Sequence, residues 1–152
     1  MITSPDPIAN VSSSLKPVLV EAPARLHLGF LDPSASLGRK FASLGLVIDG
    51  MNTRLHLTAA SRNEVVAGHS DVVRERLHRH LATLQRETGA VRPVRLTVHS
   101  TPPAHAGFGS GTQLALALGR AFASIHGLDL DTRRIAALLG RGERSGVGIA
   151  GF

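Results

Sequence analysis

The sequence contains no cysteine, no tryptophan and no tyrosine, and aromatic residues make up only 3% of its 152 positions. The lack of cysteine excludes disulfides, cysteine-based zinc sites and thiol catalysis, and it fits a reducing compartment. A hydrophobic fraction of 43% is still enough for a core, which must be built from leucine, valine, isoleucine and alanine. The length suits one domain, or a piece of a longer protein.

Long apolar runs are absent as well. Residues 1–17 have no apolar segment of the kind that a signal peptide needs, and no stretch approaches the ~18 apolar residues of a membrane span. These absences predict a soluble, cytoplasmic protein without a membrane partner. We expect a disordered N-terminus over 1–17 and one domain over 18–152.

Acidic residues are outnumbered, with 11 Asp and Glu against 17 Lys and Arg, so the formal net charge is +6. A basic balance favours anionic partners such as phosphorylated metabolites, acidic substrates or nucleic acid. Nucleic acid is the weakest of these candidates, because the arginines are spread over several elements and stacking aromatics are nearly absent. We therefore expect a small-molecule anion and no nucleic acid.

Local patterns predict a mixture of strands and helices. Pro23 within the first strand indicates an edge or a bulge, "DGMN" (49–52) indicates a hairpin turn, and "VGIAGF" (147–152) resembles the opening of a strand. The expected strands are 17–31, 44–50, 53–59, 63–68 and 93–100; the expected helices are 70–88, 111–126 and 131–139, with a loop over 31–45.

The helix ends carry recognisable signals. Ser70 or Asp71 can cap the first helix and Gly89 can end it, while Asp131 caps the last helix and Gly140 stops it. The first helix is amphipathic, with an apolar face formed by Val73, Leu77, Leu81 and Leu84. The 111–126 helix is apolar almost all round and is predicted to be buried.

The segment "PPAHAGFGSGTQ" (102–113) is rich in glycine and lies between a predicted strand and the buried helix. It is either a tight turn or an anion cradle, since a helix N-terminus leaves N–H groups unpaired and glycine lets the backbone approach a phosphate. No lysine follows, which excludes a Walker A loop, and the spacing does not fit the dinucleotide fingerprint. Its setting, with Ser110 and Thr112 inside, favours phosphate binding.

These motifs resemble the GHMP superfamily, which includes galactokinase, homoserine kinase and mevalonate kinase. Pro103, Gly107, Gly109 and Ser110 match its phosphate loop, and "APARLHLGFLD" (22–32) is similar to its N-terminal strand. The resemblance implies an α+β fold with a ribosomal-protein-like, left-handed βαβ arrangement and helices packed on a mixed sheet. It also implies a truncated chain that lacks a second domain.

One branch matches in more detail. "GSGTQLALA", "ARLHLGFLD" and "GRGERSGVGIAGF" are similar to the β-ribofuranosylaminobenzene 5′-phosphate synthase family of tetrahydromethanopterin biosynthesis. Such enzymes join phosphoribosyl diphosphate to 4-aminobenzoate or 4-hydroxybenzoate and release CO₂ and diphosphate. The resemblance implies a decarboxylating transferase with Mg²⁺ as cofactor, and it suggests a homodimer. The 152-residue chain alone is expected to be inactive.

The resemblance also implies roles for individual residues. The loop that contains Gly107, Gly109, Ser110, Gly111 and Thr112 would hold phosphate groups. The catalytic candidates are Arg39, which would bind the aromatic carboxylate, and Asp32, which would position a substrate, stabilise positive charge or hold magnesium. Without the resemblance, Asp32 is read as a turn residue and Arg39 as a solvated charge.

Further candidates are less specific. Arg25 and His27 share one face of the first strand and either line the site or face water, and His105 either contacts phosphate or is a structural loop residue. Arg144 and Ser145 resemble a second anion-contacting turn. The other histidines, His78 and His80 among them, are expected at the surface, and their spacing makes no zinc site.

The main alternative is a GHMP small-molecule kinase whose loop cradles ATP. Gly111, Thr112 and Gln113 stand where the kinases have a second serine and an alanine. Since that serine often assists magnesium and phosphate in the kinases, the difference argues for the synthase.

Overall fold

The computed structural model describes residues 15–32, 34–36, 38, 42–67, 71–142 and 146–152. Within these residues the chain is α+β, as predicted. The elements, in chain order, are β1 (Val18–Asp32), β2 (Ala42–Ala59), β3 (Glu64–Ala67), α1 (Asp71–Thr88), β4 (Val94–Ser100), α2 (Ser110–His126), α3 (Thr132–Leu138) and α4 (Val147–Ala150).

The strands form a mixed sheet in the order β1-β2-β4-β3. β1 and β4 both run antiparallel to β2, whereas β3 and β4 are parallel neighbours joined through α1. This confirms the mixed sheet. β1 lies at an edge, as Pro23 indicated, and its pairing shifts between Pro23 and Ala24, where the partner on β2 changes from Asn52 to Ile48.

Three predictions about strands are wrong. β2 is continuous from 42 to 59, because β1 pairs along both of its halves and the predicted 49–52 turn is absorbed as the irregularity between Ile48 and Asn52. The predicted 31–45 loop is shorter, since β1 extends to Asp32 and β2 begins at Ala42. The "VGIAGF" segment contains α4 instead of a strand, because the carbonyl of Gly146 accepts the amides of residues 149 and 150 in a helical turn.

The helices form where the patterns predicted them. α2 packs on β1 and β2 and contacts α1 and α3, and most of its residues are buried. α1 buries Leu77, Leu81 and Leu84, which confirms its apolar face. These helices and one face of the sheet enclose a core of leucine, valine, isoleucine and alanine with the single aromatic Phe122.

Three of the predicted helix ends are observed, whereas Asp71 is the first residue of α1 and does not precede the helix as a cap. Gly89 has a φ of +72° directly after α1, and the Asp131 carboxylate accepts the Arg134 amide at 2.6 Å to cap α3. Gly140, after α3, has a φ of +61°. Ser70 lies outside the described residues.

The far half of the β1–β2 pair is contacted by the short helix α4. The large apolar side chains of these two strands are exposed there: Leu28, Phe30, Leu31, Leu44, Leu46 and Val47. By contrast Arg25, on the same strand β1, is only 6% exposed. The charged residue therefore faces the interior here, and the leucines do not.

In the part of the chain that the structure describes, no helix is both long and apolar enough to cross a bilayer.

Candidate functional site

The glycine loop follows β4 and leads into α2. Two amides on the free edge of β1 hold it, since the N–H of Arg25 donates to the carbonyl of Phe108 at 3.2 Å and that of His27 donates to the carbonyl of Gly107 at 3.3 Å. The loop is thus attached to the sheet like a short additional strand, and its position relative to β1 is fixed by the backbone.

The start of α2 presents unpaired amides. Gly109 precedes the helix with a φ of +64°, and its carbonyl accepts the amides of Thr112 at 3.0 Å and Gln113 at 3.1 Å. The amides of Ser110 and Gly111 donate to no acceptor in the described part of the chain. The first turn has no acidic residue. Free amides at the positive end of a helix favour a bound anion.

A cavity of about 610 Å³ opens in front of these amides. The glycine loop forms one part of the lining, and two arginines from other parts of the chain, Arg76 and Arg141, form another part. The lining residues are Val73, Arg76, Thr101, Pro102, Pro103, Ala104, His105, Gly107, Gly109, Ser110, Gly111, Thr112, Leu114 and Arg141. None of them is acidic, so the cavity suits an anion.

Arg76 and Arg141 form what we call the arginine wall. A Cβ built on Gly111 would lie 3.6 Å from Nη1 of Arg76, which places this guanidinium beside the first turn of α2. Nη2 of Arg141 donates to Nε2 of His80 at 3.1 Å, and the buried Nε of Arg141 has no hydrogen-bond partner. Neither arginine forms an ion pair with the described residues.

The arginine wall was missed by the sequence analysis. In the sequence Arg76 is one of four arginines on α1, and Arg141 is part of a glycine-rich stretch after α3. Each has the appearance of an ordinary surface charge. The sequence offers one weak signal: helical spacing places Arg76 on the same side of α1 as Val73, next to the apolar face of this helix.

Burial and repulsion between like charges lower the pKa values of two groups at this wall. Burial, and then the charge of Arg76, lower the pKa of Arg141. Burial, followed by the charges of Arg141, Arg76 and Arg79, lowers the pKa of His80 to about 4. His80 is therefore neutral at pH 7 and can accept the bond from Arg141. It is partly buried in this cluster, so its predicted surface position is wrong, whereas His78 is exposed as predicted.

Arg25 lies beneath the glycine loop. A Cβ on Gly109 would come within 2.5 Å of its Nε, and a Cβ on Gly148 within 2.5 Å of its Nη2. The guanidinium is thus held between two glycines, one from the loop and one from α4. Its buried Nε and Nη1 have no hydrogen-bond partner, and burial lowers the pKa of Arg25. Arg25 therefore places a positive charge behind the loop and outside the cavity lining.

Gln113 ties these elements together. Its side chain is fully buried, and Nε2 donates to the carbonyl of Gly148 at 3.3 Å. The glutamine that distinguishes this loop from the kinase pattern thus links α2 to α4, next to Arg25.

Asp32 lies at the end of β1 and is only 2% exposed. Its Oδ1 accepts the amide of Ser36 at 2.8 Å, the hydroxyl of Ser36 at 3.0 Å and the hydroxyl of Ser34 at 3.3 Å. These bonds make Asp32 the organiser of the turn after β1. It does not line the cavity at the glycine loop.

The remaining predicted residues are placed as follows. His105 lines the cavity with a φ of +60°, which is uncommon for a residue with a side chain. His27 is half-buried with its ring edge against Phe30, and its buried Nε2 has no hydrogen-bond partner. Arg39, Arg144 and Ser145 lie outside the described residues, so their predicted roles stay predictions.

The described residues offer no preformed metal site. No group of three or more histidine or acidic side chains converges among them. The cavity lining supplies the hydroxyls of Ser110 and Thr112 but no carboxylate, whereas Mg²⁺ is usually held by one or two carboxylates together with phosphate oxygens. The magnesium that the resemblance implies therefore stays a prediction.

Known proteins are similar to this chain in sequence or in fold. The chain is 36% identical over 133 residues to β-ribofuranosylphenol 5′-phosphate synthase of Archaeoglobus fulgidus, covering 88% of this chain and 41% of that protein. It is 33% identical over 141 residues to the protein of the same name from Methanothermobacter thermautotrophicus, covering 89% and 43%. The predicted resemblance to this synthase family is confirmed. The chain spans less than half the length of these relatives.

Solved structures show the same fold at low identity. Phosphomevalonate kinase of Streptococcus pneumoniae matches with a TM-score of 0.63 at 15% identity, over 87% of this chain and 44% of that one. Mevalonate kinase of Methanococcus jannaschii matches with a TM-score of 0.63 at 12% identity, over 82% and 45%. The family model for the GHMP kinases N terminal domain matches residues 75–151, about half of the chain. The chain belongs to the GHMP kinase N-terminal domain family.

Proposed function

We propose that this chain forms the phosphate-binding domain of a β-ribofuranosylphenol 5′-phosphate synthase. The enzyme would join phosphoribosyl diphosphate to an aromatic acid. The relatives are named for a phenol product, which supports 4-hydroxybenzoate over 4-aminobenzoate as the acceptor in this proposal. The observation that carries the proposal is the cavity itself, which is lined by free amides of α2 and by two arginines that have no acidic partner among the described residues, with no carboxylate in its lining.

The chemistry requires an anion site at the leaving group. The bond between C1 of the ribose and the diphosphate oxygen breaks, and the diphosphate departs with the electron pair. The ring carbon that bears the carboxylate bonds to C1, and CO₂ leaves as its bonding electrons restore the aromatic ring. Fixed amides and guanidinium groups stabilise the growing negative charge on the diphosphate. Positive charge beneath the loop, from Arg25, acts in the same direction.

The roles of the segment after β1 are part of the proposal. Arg39 would bind the carboxylate of the aromatic acid, since a guanidinium matches a carboxylate with two parallel hydrogen bonds. Asp32 would position this segment, because its carboxylate accepts the amide and hydroxyl of Ser36. No step is assigned to magnesium, and assembly into a homodimer stays a prediction.

The test is an activity assay on the complete gene product. Carboxyl-labelled 4-hydroxybenzoate is mixed with phosphoribosyl diphosphate, with and without Mg²⁺, and labelled CO₂ and diphosphate are counted. We expect equal amounts of both and neither product when the donor is omitted. ADP formation from ATP that depends on an alcohol acceptor would support the kinase alternative and overturn the synthase.

Arg39→Ala is expected to abolish CO₂ release without unfolding the protein. Arg62→Ala removes an equal charge at an exposed position outside the loop cavity and should retain activity. Equal activity in the two variants would remove Arg39 from the site.

A further inference from the structure

A smaller cavity along α1 adjoins the cavity at the glycine loop. It measures about 360 Å³ and is lined by five residues: Arg76, Arg79, His80, Thr83 and Arg141. The first four share one face of α1, since they lie zero, three, four and seven positions along the helix from Arg76. Arg76 and Arg141 line both cavities, whereas the glycine loop lines only the larger one. The smaller cavity, which we call the α1 cavity, is therefore a separate pocket.

The α1 cavity is cationic. Three of its five lining residues are arginines, none of the five is acidic, and none of the three arginines forms an ion pair with the described residues. The charges are uncompensated, because burial and then the charge of Arg76 lower the pKa of Arg141. The hydroxyl of Thr83 adds a neutral donor. Several guanidinium groups with a hydroxyl suit a phosphoryl group, whose oxygens accept paired, charge-assisted hydrogen bonds.

His80 is a positioning residue in this cavity. Its Nε2 accepts Nη2 of Arg141 at 3.1 Å, which requires a neutral ring at that nitrogen. Burial, followed by the charges of Arg141, Arg76 and Arg79, lowers the pKa of His80 to about 4, so the ring is neutral at pH 7. His80 therefore orients Arg141, which lines both cavities.

The donor of the proposed reaction carries two separate phosphate groups. The diphosphate on C1 leaves, whereas the phosphate monoester on C5 does not react, and the relatives are named for a 5′-phosphate product. The ribose ring lies between the two groups, so one set of hydrogen-bond donors cannot hold both.

We propose that the α1 cavity binds the 5′-phosphate of the ribosyl donor. Arg76 and Arg141, which line both cavities, lie where the two cavities meet. The identity of the ligand rests on the proposed function, whereas the preference for a phosphate monoester rests on the residues of the α1 cavity.

This role has a kinetic consequence. The bonds of the 5′-phosphate do not change in the reaction, so its contacts stabilise the ground state and the transition state equally. Loss of such a contact raises KM and leaves kcat unchanged. Contacts to the diphosphate differ, because negative charge grows there as the bond to C1 breaks.

Arg79 offers the sharpest test, because it is exposed and lines only the α1 cavity. Ribose 5-phosphate and inorganic diphosphate are titrated into the complete gene product by isothermal titration calorimetry. Arg79→Gln should raise the Kd for ribose 5-phosphate roughly tenfold, the effect of losing a charge-assisted hydrogen bond. It should change the Kd for inorganic diphosphate less than about twofold. Thr83→Val, which removes the hydroxyl, should raise the Kd for ribose 5-phosphate about threefold.

Arg86→Gln is the matched control, because it removes the same charge from α1 at an exposed position that pairs with Glu87. It should leave both dissociation constants unchanged, and circular dichroism should show that all three variants are folded. An Arg79→Gln variant that binds ribose 5-phosphate as the control does would overturn the proposal. So would an equal loss of affinity for both ligands, which would mean a single shared site.

Competition distinguishes two sources of the monoester. Ribose 5-phosphate should bind more tightly than AMP, because the donor of the proposed reaction has no base. Tighter binding of AMP that depends on Arg79 would assign the α1 cavity to a nucleotide and overturn the proposal.

Kinetics separates this proposal from the proposed function. In the labelled CO₂ assay, Arg79→Gln should raise the KM for phosphoribosyl diphosphate roughly tenfold and change kcat less than about twofold. No CO₂ release, together with ribose 5-phosphate binding that depends on Arg79, would refute the synthase and keep the binding site. Normal CO₂ release with an unchanged KM in this variant would refute the site and keep the synthase.

The position of the ligand has its own readout at His80. Saturating ribose 5-phosphate should raise the pKa of His80, because the bound anion offsets the charges of Arg141, Arg76 and Arg79, which lower that pKa in the free protein. NMR of the imidazole follows the titration. An unchanged pKa would contradict binding in the α1 cavity.

Discussion

The two walls of the cavity are built in opposite ways. The loop wall is a continuous segment whose free hydrogen-bond donors are backbone amides, and it is held by β1 and by the first turn of α2. The arginine wall combines side chains from α1 and from the residue after Gly140, which lie far apart in sequence. A backbone site depends on glycine and on local hydrogen bonds, whereas a side-chain site depends on how distant elements pack.

A second cavity shows what makes the arginine wall unusual. It measures about 490 Å³ and is lined by Thr58 to Arg62 together with Glu64 and Arg95. There, Nη2 of Arg95 lies 2.9 Å from the Glu64 carboxylate. That arginine is already neutralised within the protein. The two cavities therefore differ in these arginines, since Arg95 is paired with Glu64 whereas Arg76 and Arg141 have no acidic partner among the described residues.

The loop wall should be broken most severely by Gly109→Ala. The residue has a φ of +64°, and the added Cβ would meet Arg25 Nε at 2.5 Å. We expect the free energy of unfolding to fall by about 2 kcal/mol and diphosphate binding to be lost. Chemical denaturation and calorimetry measure the two effects.

Gly111→Ala is the control for that substitution, since its Cβ meets only Arg76 Nη1 at an ordinary 3.6 Å. Alanine is the better helix former, so stability should be unchanged or raised by about 0.5 kcal/mol. Equal destabilisation by both substitutions would show that the loop tolerates no side chain anywhere and would contradict the steric argument.

Removing the charge of Arg25 beneath the loop should change the free energy of unfolding and the diphosphate affinity in opposite directions. Arg25→Met deletes a buried guanidinium that has two unpartnered nitrogens, so we expect the free energy of unfolding to rise by roughly 1 kcal/mol while diphosphate affinity falls. Arg120→Met serves for comparison, because Arg120 donates to the carbonyl of Leu130 at 2.8 Å and to the Thr132 hydroxyl at 3.2 Å. The free energy of unfolding of Arg120→Met should fall. A change in the same direction for both variants would contradict the difference between an arginine without hydrogen-bond partners and one with them.

The arginine wall should make stability depend on pH through His80. Its pKa is lowered to about 4 in the folded protein, below the usual value near 6.5. The unfolded chain therefore binds the proton first, and stability decreases as the pH falls from about 6.5 to about 4. His80→Gln keeps an acceptor for Arg141 without titrating. Between pH 7 and pH 4.5 the free energy of unfolding should fall by about 1 kcal/mol less in the His80→Gln variant than in the wild type. This amount is reduced for solvent screening, because the side chain is partly exposed. Equal losses in urea denaturation would refute this role.

The smallest effect is expected in the loop at His105. Its φ of +60° is strained for a residue with a side chain. His105→Gly should raise the free energy of unfolding by about 0.5 kcal/mol, since relief of strain exceeds the added flexibility of the unfolded chain. Ala104→Gly, at a neighbour without positive φ, should lower stability by a similar amount. Thermal unfolding compares them, and a loss of stability in both would contradict strain at His105.

Much of the fold could be predicted because it is local. The spacing of Leu77, Leu81 and Leu84 gave α1, Asp131 gave the start of α3, and the glycine loop gave the start of α2. The errors fell where long-range pairing overrides local signals. "DGMN" is a hairpin sequence, but the hydrogen bonds of both halves of β2 to β1 keep the strand continuous.

The candidate site divides in the same manner. The sequence by itself determined the loop wall, because an anion cradle at a helix N-terminus needs only glycines, a strand before and a helix after, all of which are contiguous. Only the tertiary structure decided that Arg25 lies behind that loop, that Arg76 and Arg141 line the same cavity, and that His80 contacts Arg141. The physical reason is that the surroundings of a charge, its burial and its missing acidic partner, are set by elements that meet only when the chain folds.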